Sequence, residues 1–354
     1  MKILVIQQKM IGDVLVSSIL CDNLRKAYPT AQIDYMVYQS TTPVLEGHTS
    51  FDKLILFEKK HQNSRWEYFK LIRSIRKEKY DVVIDAYSKL ESWLVVLFSV
   101  ATKKISYLKK GRSFLYTDTV VRHEKATSNA GLIIEQRLSL LNPLQLNVSL
   151  DNFPKIYVAE HEKSFAKKLF EEQEIDTTKK TIMLSILGSS QDKTYPLSYM
   201  AQVIDFIADH CDANLLFNYM PQQSSEATEL YEACKSSTQS KIYPKAIGHS
   251  IRDFIAIMNA CDFIIGNDGG AINMAKALNK PSFIIFSPWI DKKGWATFED
   301  GIRHISLHLK EFKPELFLSR SAKEIKKESD NLYQKFHPDL IFPALKNFLN
   351  THTK

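Results

Sequence analysis

Apolar positions along this chain fall into short, β-branched blocks separated by longer stretches where they recur at helical spacing. Residues 2–7 predict a first strand, and residues 14–27 a helix with Val14, Ile19, Leu20 and Leu24 on one side. Gly12-Asp13 is expected to turn the chain between them, and Tyr28-Pro29 to end the helix. Strands are expected at 32–38, 53–57, 81–85 and 104–107, with helices at 68–79 and 90–101. Strands this short and apolar, alternating with helices, imply a parallel sheet covered on both faces. The rhythm breaks between a helix at 127–141 and a charged helix at 160–172, through the polar stretch 142–154. It restarts with strand 181–187, helix 197–210, strand 214–218, helix 224–235 and a short strand at 241–243. Helix 250–260 opens with a Ser250/Asp253 capping box. Residues 309–335 mix charges of both signs and read as helical or loose surface structure, followed by an amphipathic helix at 340–349. The pattern predicts an α/β chain of two doubly wound halves, 1–158 and 178–325, with ligands at the carboxyl ends of strands in a crevice between them.

The second half is organised around DFIIGNDGGAINMAKALNKPSFIIFSP, residues 262–288. Residues 262–265 read as a buried strand, Gly266-Asn267-Asp268-Gly269-Gly270 as a tight turn, 271–278 as a helix and 282–286 as the next strand. Two glycines at a helix start leave backbone N–H groups and the positive helix end open to an anion such as a phosphate. Asp268 can accept hydrogen bonds from sugar hydroxyls, or simply cap the helix.

With 44% hydrophobic and 25% charged residues, the 354-residue chain has the profile of a globular protein with room for two domains. The apolar N-terminal run reads as a strand and not a signal peptide, and no stretch approaches the ~18 apolar residues of a membrane span. Cys21, Cys211, Cys234 and Cys261 are scattered, without metal-ligand spacing, so no structural metal is expected and a cytoplasmic location is. The net charge of +7 is unevenly placed: residues 103–112, KKISYLKKGR, carry five basic residues and no acid, and 59–79 form a second basic cluster. Such patches suit a phosphorylated substrate or an anionic membrane surface; a nucleic-acid partner is not expected, because no aromatic-interleaved or groove-reading pattern accompanies them.

At the end of the first strand stands only Gly12, so neither a dinucleotide fingerprint nor a P-loop is present. Asp13 follows it at the start of the first helix, where the helix end favours an ionised carboxylate; it reads as a helix cap or as a general base. Gly188-Ser189-Ser190-Gln191-Asp192-Lys193 follows the first strand of the second half, a polar loop whose hydroxyls and lysine suit a phosphate.

Taken in order, these stretches resemble glycosyltransferase family 9, the bacterial heptosyltransferases. The resemblance rests on Gly12-Asp13-Val14, Tyr28-Pro29, the DVVID strand, the basic KKISYLKKGRSFLYT stretch, the loop from Gly188 to Lys193-Thr194-Tyr195-Pro196, and Gly266-Asn267-Asp268-Gly269-Gly270. It implies the GT-B architecture: two Rossmann-like domains facing across a cleft, the final helix (337–354) crossing back to the first domain. It further implies inverting, metal-independent transfer from a nucleotide-sugar, typically ADP-heptose, to the lipopolysaccharide core at the cytoplasmic face of the inner membrane, with no cofactor. On that resemblance Asp13 is the general base. Ser189, Lys193, Gly269 and Gly270 hold the donor diphosphate, Asp268 the donor sugar and Glu226 the nucleotide ribose, Gly12 is a further donor-binding residue, and Lys109, Lys110 and Arg112 face an anionic acceptor. The family usually has Asp-Thr/Ser-Gly-x-x-His; here Gly269 replaces the hydroxyl residue and Asn273, a neutral donor-site residue, stands in the histidine position. A GT-B sugar-nucleotide epimerase and a binding protein that has lost catalysis are the alternatives, distinguished by turnover of donor without acceptor or by no turnover at all.

Overall fold

The computed structural model describes residues 1–353, which divide into two compact units, Met1–Tyr157 and Val158–Lys354. In the first unit, strands β1 (Lys2–Ile6), β2 (Gln32–Tyr38), β3 (Lys53–Phe57), β4 (Val82–Asp85), β5 (Lys103–Tyr107) and β6 (Asp118–Val120) form one parallel sheet. Its order is β3-β2-β1-β4-β5-β6. β1 lies between β2 and β4, pairing Lys2 with Gln32 and Ile3 with Val82, and Ile3, Leu4, Val5 and Ile6 are fully buried. Helices α1 (Ile11–Ala27), α2 (Arg65–Glu78), α3 (Leu90–Phe98) and α4 (Leu132–Ser139) surround it.

The second unit carries β7 (Lys180–Ser185), β8 (Ala213–Asn218), β9 (Phe263–Asn267), β10 (Ser282–Ile285) and β11 (His304–Leu307), again all parallel, in the order β11-β10-β9-β7-β8. Its principal helices are α5 (Glu160–Glu172), α6 (Leu197–His210), α7 (Ser224–Ala233), α8 (Ile251–Ala260), α9 (Gly270–Ala277) and α10 (Phe342–His352). The capping box of α8 is formed, Ser250 Oγ accepting from the Asp253 N–H and the Asp253 carboxylate from the Ser250 N–H. Both sheets change winding direction beside their first strand, so the loops after β1 and β4, and after β7 and β9, lie where open α/β sheets bind ligands.

Several elements differ from the expectation. Gly12 and Asp13 do not turn the chain: α1 begins at Ile11, so both lie in its first helical turn. Gly266 and Asn267 belong to β9 rather than to a turn. A Cβ on Gly266 would sit 2.2 Å from the Ser185 carbonyl oxygen, so glycine here lets β9 run close against β7 with a φ of +139°. Residues 241–243 make only an isolated bridge between Ile242 and Leu215. β6 and β11 were missed, being three and four residues long. Of the two readings of 309–335 the helical one holds, with helices at Leu309–Phe312, Ala322–Lys327 and Ser329–Lys335, and Leu332, Tyr333 and nearby Phe336 are buried in the second core.

The final helix, α10, packs within the second unit. Its apolar side, Leu345, Phe348 and Leu349, is buried, and the Phe348 ring meets Phe263 and Phe283 of the sheet at 5.4 and 5.7 Å. Phe342 stacks on Phe206 of α6 at 4.3 Å. Burial of each such side chain contributes roughly 1.5–3 kcal/mol, which holds the helix against this sheet. α5 likewise joins the second unit, packing on α8 through the Glu162–Arg252 ion pair.

Candidate functional site

Asp13 occupies the third position of α1, beyond the carboxyl end of β1. Its carboxylate accepts the N–H of Met10, the residue that caps the helix, and a hydrogen bond of 3.0 Å from Nη2 of Arg137. Helix position was expected to favour the ionised form. Burial is the larger effect and raises the Asp13 pKa above the ordinary carboxylate value, while Arg137, the Met10 N–H and Arg122 pull it back. The side chain keeps 22% of its exposure, enough for a substrate to reach it.

Arg137 projects from α4 and is buried. Its Nε donates to Ser17 Oγ at 2.7 Å and its Nη1 to the Tyr107 hydroxyl at 2.9 Å, so the guanidinium is fixed on three sides. The sequence reading missed it; the available signal was a charge at i+3 and i+4 from Ile134 and Ile133, on the apolar side of a short helix.

The basic stretch after β5 lies about the turn that follows β4, with Arg122 near Lys109. Lys109 Nζ donates to the Ser88 carbonyl at 2.8 Å, and partial burial, with Arg122, Lys89 and Arg112 nearby, lowers its pKa. Arg112 lies 3.8 Å over the Trp93 ring, and Lys110 is exposed. Arg122, also missed, stacks 4.0 Å over Tyr107, and its charge acts on Asp13. Buried Asp85 ends β4 and fixes the adjoining turn, accepting from Ser88 N–H, Ser92 Oγ and Tyr116 Oη at 2.7, 2.8 and 2.7 Å. Asp85 thereby holds the carbonyl that Lys109 grips. A carboxylate of raised pKa beside several cations can take a proton from a hydroxyl on an anionic molecule.

In the second unit the loop after β7 is tied to the end of β9 and to the loop after β10. The Asn267 side-chain oxygen accepts the Tyr195 N–H at 2.8 Å, and Ser287 Oγ and Trp289 Nε1 donate to the Asp192 carbonyl at 2.6 and 2.9 Å. Gly188 is needed for this fold-back, since a Cβ there would lie 2.3 Å from the Lys193 carbonyl oxygen. Lys193 and Lys326 flank the Trp289 ring at 5.4 and 4.2 Å, and Lys326 pairs with Asp192 at 3.2 Å. Trp289 follows β10, and Lys326 comes from the charged stretch 309–335. Burial lifts Asp268 to about 6 against the pull of Lys193 and Lys276, and lowers Lys276 to about 8. Gly269 and Gly270 open α9, and a Cβ on Gly269 would meet nothing within 4 Å, so that space is open. Asn273 turns its amide back onto the Gly269 carbonyl at 3.1 Å. Ser189 is exposed in its loop, and Glu226 lines a cavity of about 220 Å³ with Gln191, Thr194, Tyr195 and Gln223. Gly12 lies beside Asp13 in the first turn of α1 and is buried. Lysines beside an open helix N-terminus suit an anion such as a diphosphate.

The family model for glycosyltransferase family 9 (heptosyltransferase) matches residues 68–319. The chain is 23% identical to lipopolysaccharide heptosyltransferase 1 of Campylobacter coli, over 81% of this chain and 84% of that one. It is 24% identical to lipopolysaccharide heptosyltransferase 2 of Escherichia coli K12, over 81% and 83%. The crystal structure of a family 9 glycosyl transferase from Veillonella parvula shares the fold, with a TM-score of 0.71, 17% identity, and coverage of 94% and 97%.

Proposed function

Since the chain belongs to glycosyltransferase family 9, and is a glycosyltransferase of two Rossmann-like units, we propose that it moves heptose from ADP-heptose to a lipopolysaccharide-core or related cell-surface glycan acceptor. The observation that carries this reading is the Asp13 carboxylate, gripped by Arg137 and acted on by the charge of Arg122, which in turn has Lys109 near it. Asp13 takes the proton from the acceptor hydroxyl as its oxygen attacks the anomeric carbon. The bond from that carbon to the diphosphate breaks, and the configuration inverts. The departing nucleoside diphosphate carries its charge away against Lys193 and the N–H groups of Gly269 and Gly270, which supply positive charge without a metal ion. Asp268 accepts from sugar hydroxyls, and Glu226 from the ribose. The cations near Asp13 face the phosphates or carboxylates of the acceptor.

Asp13→Ala is expected to lower transfer by about 10²–10⁴-fold while leaving donor affinity, read by calorimetry, unchanged. Full activity in that variant rejects Asp13 as the base. A thermal-shift series with ADP, UDP, GDP, CMP and ADP-heptose tests the donor: a ligand at about 100 times its dissociation constant adds about 2.7 kcal/mol. Stabilisation by ADP and its heptose, undiminished in EDTA, supports the reading; a response to UDP or GDP alone removes heptose from it.

A further inference from the structure

Helix α2 is apolar on two opposite sides. One side, Ile72 and Ile75 with Tyr68 and Leu71, packs on the first sheet. The other carries Trp66 and Phe69, which are 64% and 47% exposed and stack on each other at 6.0 Å. Residues 66, 69, 70, 73, 76 and 77 share this outward face by helical spacing, so the two rings stand among Lys70, Arg73, Arg76 and Lys77, all exposed. No acid lies on it. Glu67 and Glu78 fall on the flank, Glu67 paired with Lys70 at 2.7 Å and Glu78 with Lys2 at 3.2 Å. Among the described residues Arg73 and Lys77 have no ion-pair partner.

The apolar surface continues onto the end of α3. Arg76 Nη1 donates to the Phe98 carbonyl at 3.0 Å, and Leu97, Phe98 and Val100 beside it are about half exposed. Lys104 adds a further cation there, close enough to Arg76 for its pKa to be lowered partly by that charge. Two aromatic rings, three aliphatic or aromatic side chains and a rim of cations, Arg73 and Lys77 among them without an ion-pair partner, therefore form one face that the fold does not need for its own core.

We infer that this outward face of α2 and the end of α3 is a docking surface for an anionic lipid bilayer. Charge complementarity selects the partner: Arg73, Arg76 and Lys77 meet lipid phosphates, while Trp66 and Phe69 seat in the headgroup layer where amphipathic rings partition. The aliphatic continuation through Leu97 and Val100 suits acyl chains. Among the described residues no helix is long and apolar enough to cross a membrane, and the attachment proposed is peripheral and reversible.

Flotation of the full chain with vesicles tests this, comparing phosphatidylcholine alone with phosphatidylcholine containing ~30 mol % phosphatidylglycerol, at ~0.1 and ~0.5 M salt. The wild type is expected to float with the anionic vesicles and not with the neutral ones, and to be released by the higher salt. Trp66→Ser/Phe69→Ser and Arg73→Glu/Lys77→Glu are each expected to bind at least about tenfold more weakly, with circular dichroism and melting midpoint unchanged because these side chains are exposed. Failure of the wild type to bind anionic vesicles overturns the inference, as does equal binding by both double variants. A wild-type dimer on gel filtration that the variants convert to monomer, without vesicle binding, assigns the face to a second copy and also overturns it. The assay contains no nucleotide-sugar, so its failure leaves the Asp13 reading standing.

Discussion

Arg137 acts on Asp13 through both geometry and charge. Its three hydrogen bonds to Ser17, Tyr107 and Asp13 fix the carboxylate, and its charge opposes the burial that raises the Asp13 pKa. Removing that charge leaves burial less opposed, so Arg137→Gln is expected to move the acidic limb of kcat/KM for transfer to higher pH. A loss of about 3 kcal/mol in stability accompanies it, since breaking a buried pair strands one partner. Arg137→Lys keeps the charge and loses the fork, so its limb stays near that of the wild type while kcat falls. A limb unmoved in Arg137→Gln assigns Arg137 a purely structural role. Asp13 was legible because it follows the first strand and opens a helix; Arg137 was not, because 124 residues separate the pair.

At the scale of one element, the β9–α9 unit separates two glycines that look alike in sequence. Gly266 is required by packing: its φ is +139° and a side chain would collide with the Ser185 carbonyl of β7. Gly266→Ala is therefore expected to lower stability by about 3 kcal/mol or more, measured by denaturant unfolding. Gly269 faces open space and has extended backbone, so Gly269→Ser should change stability by no more than about 0.5 kcal/mol. That variant restores the hydroxyl the family usually carries, and tighter binding of nucleotide in calorimetry is the expected result. Binding weaker than that of the wild type would mean that Gly269 is matched to its own ligand. Neighbouring strands decide this difference, and local composition cannot carry it.

For the molecule as a whole, acid stability follows from groups of opposite sign in the second unit. His304, buried and hydrogen-bonded to Ser282 Oγ at 3.0 Å, is lowered to about 4 by burial and by Lys276. Between its usual 6.5 and about 4 the unfolded chain takes up a proton that the folded chain refuses, so this group lowers stability as pH falls through that window. The effect is on the order of 1–2 kcal/mol near pH 5. Asp268, raised from 3.8 to about 6, holds a proton that the unfolded chain releases, and so adds stability as pH falls through its window. The wild type should therefore show a shallow profile. His304→Asn is expected to gain melting temperature relative to the wild type on going from about pH 7.5 to about pH 5, and Asp268→Asn to lose it. Parallel profiles for all three proteins would contradict both assignments.

Hydrophobic periodicity by itself determined the alternating strands and helices, because each parallel strand must be apolar on both faces and each covering helix on one. The positions of Asp13, Lys193 and Asp268 at strand ends followed from that alternation, and the ordered stretches around them carried the family resemblance. Only the tertiary structure decided which charges meet Asp13, that Trp289 and Lys326 join Lys193, and that α10 closes on the second sheet. Those outcomes depend on contacts between residues far apart in sequence. Burial and opposing charge set the pKa of Asp13 and Asp268, and neither exists until the chain has folded.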